Sequence, residues 1–335
     1  MKSKIILSAI LCFGMLVLSG CGDDVNTPEG LPSSTVKETA GHYLTELFGK
    51  DAENITQEDY DNVTRLNIVG PHITSSVYDL SVGFDSTGYT YGGKSYQYDP
   101  SCGADLSFLS NFKNLTELGI FFCPALEDVS YISSLSSLTS FTLVMTNVSD
   151  LTSVASIHSL ETLYTDASPI SKVNTDTHNH LKNIHFINAN LTDISFLNEC
   201  SALESLTISY NKTPLSGTES LAVLQNLTYL DISAPDTDFS FLAEIVSPLK
   251  TLRVGGKSDI KLSLSHALQT ELTAFIVEGT DSIDLTPLDD CPSLERVHVF
   301  SVGNVAKGTK LNGGEVSYSE ADASLNFFAW WNNEK

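Results

Sequence analysis

Nine leucines, Leu115, Leu138, Leu160, Leu181, Leu203, Leu227, Leu249, Leu272 and Leu294, follow one another at steps of 21 to 24 residues. Apolar residues recur three and five places after them, as Leu118 and Ile120, Phe141 and Leu143, Ile184 and Phe186, Leu206 and Ile208, Leu230 and Ile232, Leu252 and Val254, Phe275 and Val277, and Val297 and Val299. One unit slips, with Leu163 followed by Thr165. A period near 22 with this spacing supplies one short strand per unit. Alternation along each strand turns positions one, four and six inward and positions two, three, five, seven and eight outward. No unit can bury its apolar edge alone, so the units must stack into a solenoid with one continuous core.

A second pattern marks the return leg of the unit: Asp, an apolar residue, Ser or Thr, any residue, then an apolar one. It runs Asp105 to Leu109, Asp128 to Ile132, Asp150 to Val154, Asp193 to Leu197, Asp238 to Leu242 and Asp284 to Leu288. Over roughly residues 56 to 301 the combination resembles the internalin-type, short-repeat class of bacterial leucine-rich repeat proteins. The resemblance implies an α/β fold: a right-handed leucine-rich-repeat solenoid with parallel strands on its concave face, a helical N-terminal cap and a small C-terminal cap. The chain departs from the family at the ninth position, where an Asn normally ties neighbouring turns together. Cys123, Thr146, Ser168, Ala189, Asn211, Pro235, Lys257 and Thr280 stand there instead. Ala189 and Pro235 offer no side-chain hydrogen bond, which predicts irregular turns at both.

The ends carry separate signals. Lys2 and Lys4 precede the apolar run Ile5 to Leu18, too short to span a bilayer, as a secretory signal over residues 1 to 20. Leu18-Ser19-Gly20-Cys21 matches the bacterial lipobox, which implies that Cys21 becomes a diacylated (palmitate-type) first residue of a lipoprotein. Two acyl chains give a stable membrane anchor. Gly22-Asp23-Asp24 resembles the acidic stretch that directs Bacteroidetes lipoproteins to the cell surface. The expected location is the cell envelope, surface-exposed, on the outer membrane in a Gram-negative cell. Residues 21 to 33 read as a flexible tether and residues 34 to 62 as a helical cap. In that cap Val36, Ala40, Tyr43, Leu44 and Leu47 recur at helical spacing, and Thr56 with Asp59 forms a capping box. Val63, Leu66 and Ile68, then Val77, Leu80 and Val82, read as two further strands. The repeats then fill 63 to 301, with an insertion over 83 to 104, and residues 302 to 335 form the second cap. There a turn is expected at Asn312-Gly313-Gly314, and the cluster Phe327, Phe328, Trp330 and Trp331 closes the last repeat.

Loss of Lys2 and Lys4 with the signal takes the formal charge from −23 to −25, which argues against nucleic acid or anionic lipid as partners. Cys200 and Cys291 lie four repeats apart, about 19 Å at the spacing of stacked strands, and should be buried free thiols. Cys102 and Cys123 sit at nearly the same phase of adjacent turns, where a disulfide and two free thiols are both open. Gly88 to Ser95 fits the phosphate-loop pattern letter for letter, but Tyr96-Gln97-Tyr98-Asp99-Pro100 follows where a helix is required. His178 and His180 lack further ligands, and the Asp clusters lack calcium-loop spacing. No catalytic group, metal site or cofactor is nominated, and the chain reads as no enzyme.

Function then rests on outward strand positions. Position five runs Gly119, Thr142, Tyr164, His185, Thr207, Asp231, Arg253, Ile276 and His298, and position seven Phe121, Val144, Asp166, Ile187, Ser209, Ser233, Gly255, Glu278 and Phe300. Phe121, Val144, Met145, Tyr164 and Ile187, with His185 beside them, predict an apolar patch on the concave face. On an open face, Val144→Glu and Ile187→Glu should weaken binding without harming the fold. Tyr89, Tyr91, Tyr96 and Tyr98 in the insertion add contact area. The alternative is that this loop folds back and buries the patch. The expected activity is that of a monomeric surface protein gripping another protein; glycan binding through the tyrosines is the alternative, and the membrane is met only through the anchor.

Overall fold

The structure, a computed structural model, describes residues 40–75, 83–84, 88–91, 94–175, 180–256 and 258–321. Cys21 with its signal and tether, the strand expected over Val77 to Val82 and the Phe327 to Trp331 cluster lie outside these residues.

The chain is a leucine-rich-repeat solenoid built on one 12-stranded sheet. Eleven strands run parallel, one per repeat, beginning with Arg65–Val69 and Glu117–Cys123. Register follows the leucine ladder throughout: Leu66 pairs Leu118, which pairs Phe141, and Ile184 pairs Leu206, which pairs Leu230. The ladder leucines Leu115 to Leu272 are completely buried, and with the residues three and five places on they form one continuous core. The edge strand His72–Thr74 folds back antiparallel on Arg65–Val69 and closes the first edge. Helix Ala40–Phe48 packs there through Tyr43 and Leu44, and Tyr43 Oη donates to Gly70 O at 3.0 Å. Helix Gln57–Asp61 opens with a capping box, in which the Asp59 carboxylate accepts the Thr56 N–H at 2.9 Å.

The return-leg pattern proves to be a repeated cap. Each Asp accepts the backbone N–H two residues on: Ser107, Ser130, Thr152, Ser195, Ser240 and Thr286 donate at 2.8 to 3.0 Å. This bond fixes the turn that starts a short 3-10 helix in each of those repeats, such as Ser195–Glu199. The Ser107 hydroxyl and N–H hold the Asp105 carboxyl below the usual carboxylate range, and the Thr152 N–H and hydroxyl do the same for Asp150.

Six strands are left through a non-glycine residue in the left-handed region at position eight, Phe122 (φ 58°), Met145 (φ 54°), Ala167 (φ 49°), Asn188 (φ 55°), Tyr210 (φ 54°) and Ser301 (φ 50°). Ala189 follows this rule: its turn is regular, and its carbonyl accepts the Lys212 N–H at 3.0 Å, so the backbone supplies the tie its side chain lacks. Pro235 does disturb its turn, since there the left-handed residue is Asp236 (φ 51°), two places late. Elsewhere the ninth position makes part of the expected ladder. Thr146 Oγ1 lies 2.9 Å from Ser168 Oγ, and Asn211 Nδ2 donates to Leu191 O at 2.7 Å.

Two features differ from the sequence reading. The sheet continues past residue 301 with Ser317–Ala321, where Tyr318 and Glu320 take the register of Val297 and Val299. These replace the aliphatic pair, so periodicity could not reveal the strand. Asn312-Gly313-Gly314 is no hairpin turn but the end of helix Thr309–Gly313, with Gly314 at φ 74° as its left-handed cap. Cys102 and Cys123, for which the sequence leaves a disulfide and two thiols both open, are not bridged to each other and are both buried. Their sulfurs face different partners: Cys102 Sγ lies 3.8 Å from Tyr43 Oη, whereas Cys123 Sγ donates to Phe121 O at 3.5 Å. Cys200 and Cys291 are free and buried.

The slipped repeat leaves a defect. Thr165 is fully buried in an apolar row and its Oγ1 has no hydrogen-bond partner. Thr165→Val keeps the shape and removes the orphan hydroxyl, so it is expected to raise stability by about 1 to 2 kcal/mol in urea unfolding. A lower stability would show that the hydroxyl is satisfied in solution.

Candidate functional site

Position five and position seven form two straight rows across the sheet. Gly119, Thr142, Tyr164, His185 and Thr207 pair in sequence, as do Phe121, Val144, Asp166, Ile187 and Ser209. The strand phase read from the sequence therefore holds. The expected open patch does not. Phe121, Val144, Tyr164 and Ile187 are at most 5% exposed, in one buried cluster with Val69, Tyr89 and Phe122. Met145 is packed against that cluster and half-buried.

The tyrosine-rich insertion closes over the patch. Gly88–Tyr91 and Lys94–Gln97 form an antiparallel hairpin, with Tyr89 opposite Tyr96. This hairpin occupies the segment that matches the phosphate-loop pattern, so no helix opens at Lys94 to receive a phosphate. Tyr89 points down and stacks on Phe122 with ring centroids 4.5 Å apart, while Tyr96 stacks behind it at 5.4 Å. Phe122 reaches Tyr89 because its left-handed backbone swings the ring out of the strand end. Gly70 is required beneath: at φ 56° a Cβ there would lie 2.0 Å from Tyr89 Oη. His72 on the edge strand braces the outer rings, stacking on Tyr91 at 5.5 Å and meeting Tyr96 edge-on at 5.0 Å. Tyr91, Tyr96 and Tyr98 are left half-buried.

Beyond the patch the face becomes polar. Tyr164 lies against His185, whose Nδ1 is 3.0 Å from Thr207 Oγ1. Burial pushes the His185 imidazole down to about 4, so it is neutral at pH 7. Burial likewise pushes the Asp166 carboxyl up to about 6, against hydrogen bonds from Asn188 Nδ2 at 3.0 Å and from the Ala167 N–H. Its folded pKa exceeds its unfolded one, so its contribution to stability is present below about 4 and lost as pH rises through about 6.

The middle repeats hold a buried ionic cluster that sequence reasoning passed over. Arg253 Nη1 donates to Asp231 Oδ1 and Oδ2 at 2.9 and 2.7 Å and to Ser209 Oγ at 3.1 Å. Its Nη2 donates to Tyr210 Oη at 3.0 Å and to the Glu278 carboxylate. Four adjacent repeats are thereby joined by one guanidinium. Burial pushes the Asp231 carboxyl up against the pull of Arg253, and burial would lower Arg253 were Asp231 and Glu278 not holding it protonated. The signal lay in opposite charges at position five of adjacent repeats, Asp231 and Arg253.

Among the described residues, no three His, Cys, Asp or Glu side chains gather to hold a metal ion. No helix of the described residues is long and apolar enough to cross a membrane.

No protein-family model matches the chain, and neither does any curated protein. Solved structures are similar at low identity. Internalin C2 from Listeria monocytogenes is 17% identical with a TM-score of 0.46, over 70% of this chain and 87% of that one. An internalin (InlF) from the same species is 17% identical with a TM-score of 0.38, over 81% of this chain and 90% of that one. The functional domain of its InlJ is 14% identical with a TM-score of 0.42, over 66% of this chain and 51% of that one. These are likenesses of fold and carry no ligand with them.

Proposed function

We propose that the chain is a non-catalytic recognition protein, lipid-anchored through Cys21 at the cell surface, that holds a protein partner on its concave face. The observation that carries this reading is the tyrosine hairpin. It is inserted between the first two parallel strands of the solenoid, seated on the sheet through Tyr89, and presents Tyr91, Tyr96 and Tyr98 half-exposed. Tyrosine offers a large amphipathic contact at low entropy cost, and an inserted element on one face of a solenoid is where recognition concentrates. The contact surface is thus the top of the hairpin, rather than the apolar wall beneath or the polar rows, whose Thr207, Ser209, Asp231 and Arg253 are buried. Glycan capture by the same rings is the competing outcome.

The test is capture from protein and glycan mixtures by the full chain and by a Tyr91→Ser, Tyr98→Ser variant. Capture should fall at least about tenfold in the variant, the loss expected when two interface aromatics are truncated. It should also vanish when the mixture is first treated with protease. Capture that survives the protease would point to glycan, and equal capture by both chains would remove the hairpin from the site.

A further inference from the structure

Outward residues of the last repeats are buried, yet they lie outside the cluster beneath the tyrosine hairpin. Arg253, Ile276 and His298 follow one another at position five, and Phe300 stands at position seven beside Glu278. Arg253 and Ile276 are 0% exposed, His298 and Phe300 4%, and Ala274 at position three is closed as well. The sheet does not bury such positions unaided, since Thr142 and His185 at position five keep part of their surface. Nor is the solenoid core responsible. It takes Phe275, Val277, Val297 and Val299 from the same strands and leaves out Ala274, Ile276 and Phe300. Among the described residues, the elements pressed closely on strands Thr251–Gly255, Ala274–Glu278 and Arg296–Phe300 are their neighbours in the sheet.

We propose that residues 327 to 331 lie across this tract and fill the C-terminal part of the concave face with the chain's own aromatic side chains. The last described strand, Ser317–Ala321, pairs with Arg296–Phe300 and places Ala321 beside Phe300, at the margin of the tract. Residues 322 to 335 follow in the sequence, with Phe327, Phe328, Trp330 and Trp331 among them. Reach is sufficient. Thr251–Gly255 lies three strand spacings from Ser317–Ala321, about 14 Å, and the stretch from Ala321 to Phe327 spans up to about 20 Å. The chemistry matches too, because rings cover Ile276 and Phe300, and an aromatic face attracts the Arg253 guanidinium. Standing in water, the same rings would form an apolar patch of their own, so both surfaces are stabilised by meeting. The segment then does not close the end of the last repeat, as the sequence suggests, and a partner is left with the hairpin end of the face. The inference does not depend on the proposed protein recognition.

Trp330 and Trp331 are the only tryptophans in the sequence, so tryptophan emission of the full chain reports this segment alone. The wild type should emit to the blue of the same chain unfolded in urea. Ile276→Glu alters the sheet two strands in from Ser317–Ala321, and should shift the emission to the unfolded position while far-UV circular dichroism stays unchanged. Should that variant fail to fold, Ile276→Thr keeps a β-branched residue in the strand and takes its place, with a partial shift expected. Wild-type emission already at the unfolded position would leave the tract to a second copy or a partner and overturns the proposal. Emission that stays blue in a folded Ile276 variant overturns it as well, and would seat the segment at the end of the last repeat.

Discussion

Arg253→Ala is expected to lower the stability of the solenoid by about 3 to 5 kcal/mol in urea unfolding at neutral pH. The guanidinium is fully buried between Asp231, 1% exposed, and Glu278, 24% exposed. Its removal leaves two carboxylates and the Tyr210 hydroxyl facing one another without a cation. The loss should shrink on acidification, and the sign is fixed by burial. Without Arg253 the Asp231 carboxyl rises further above its unfolded pKa, so the variant recovers stability as pH falls and loses it as pH rises. Asp231→Leu combined with Arg253→Met should regain most of the deficit, because a buried pair exchanged for apolar packing is often neutral. A loss below about 1 kcal/mol for Arg253→Ala would show that the pair is solvated, as exposed ion pairs are.

Val144→Glu should cost at least about 3 kcal/mol and release the tyrosine hairpin from the sheet. Val144 is 0% exposed, and its position-seven neighbours are Phe121 and Asp166. The new carboxylate would be buried without a cation and beside a carboxyl already raised by burial. Tyrosine fluorescence together with urea unfolding reads both effects. A variant as stable as the wild type would mean that the hairpin stands off the sheet and that the patch is open, one of the two arrangements the sequence allows.

That contrast shows where sequence reasoning stops. The leucine ladder could be read because each strand repeats the same local demand, and the return-leg Asp because its bond closes within two residues. Ser317–Ala321 escaped because Tyr318, which packs against the core, and the exposed Glu320 stand where earlier repeats have two aliphatic residues. Outward residues posed a harder problem. Phe121 and Ile187 do point away from the core, as alternation requires, but they are buried in one cluster with each other and with Tyr89, some 30 to 100 residues earlier in the chain. Nothing in the period records where an insertion comes to rest. The cues for Tyr91 and Tyr98 were compositional, and the Arg253 cluster was visible only as charges 22 and 25 residues apart that happened to share a face.

The seated hairpin sets a threshold for access to the wall beneath it. A partner that reaches the Phe122 ring binds only the fraction of molecules in which Tyr89 has left it, and its apparent affinity is the intrinsic one scaled by that fraction. Its association rate is then governed by how often the hairpin lifts, and becomes independent of partner concentration once that concentration is high. A weaker stack beneath Tyr89 would thus raise affinity for such a partner without adding a single contact to it.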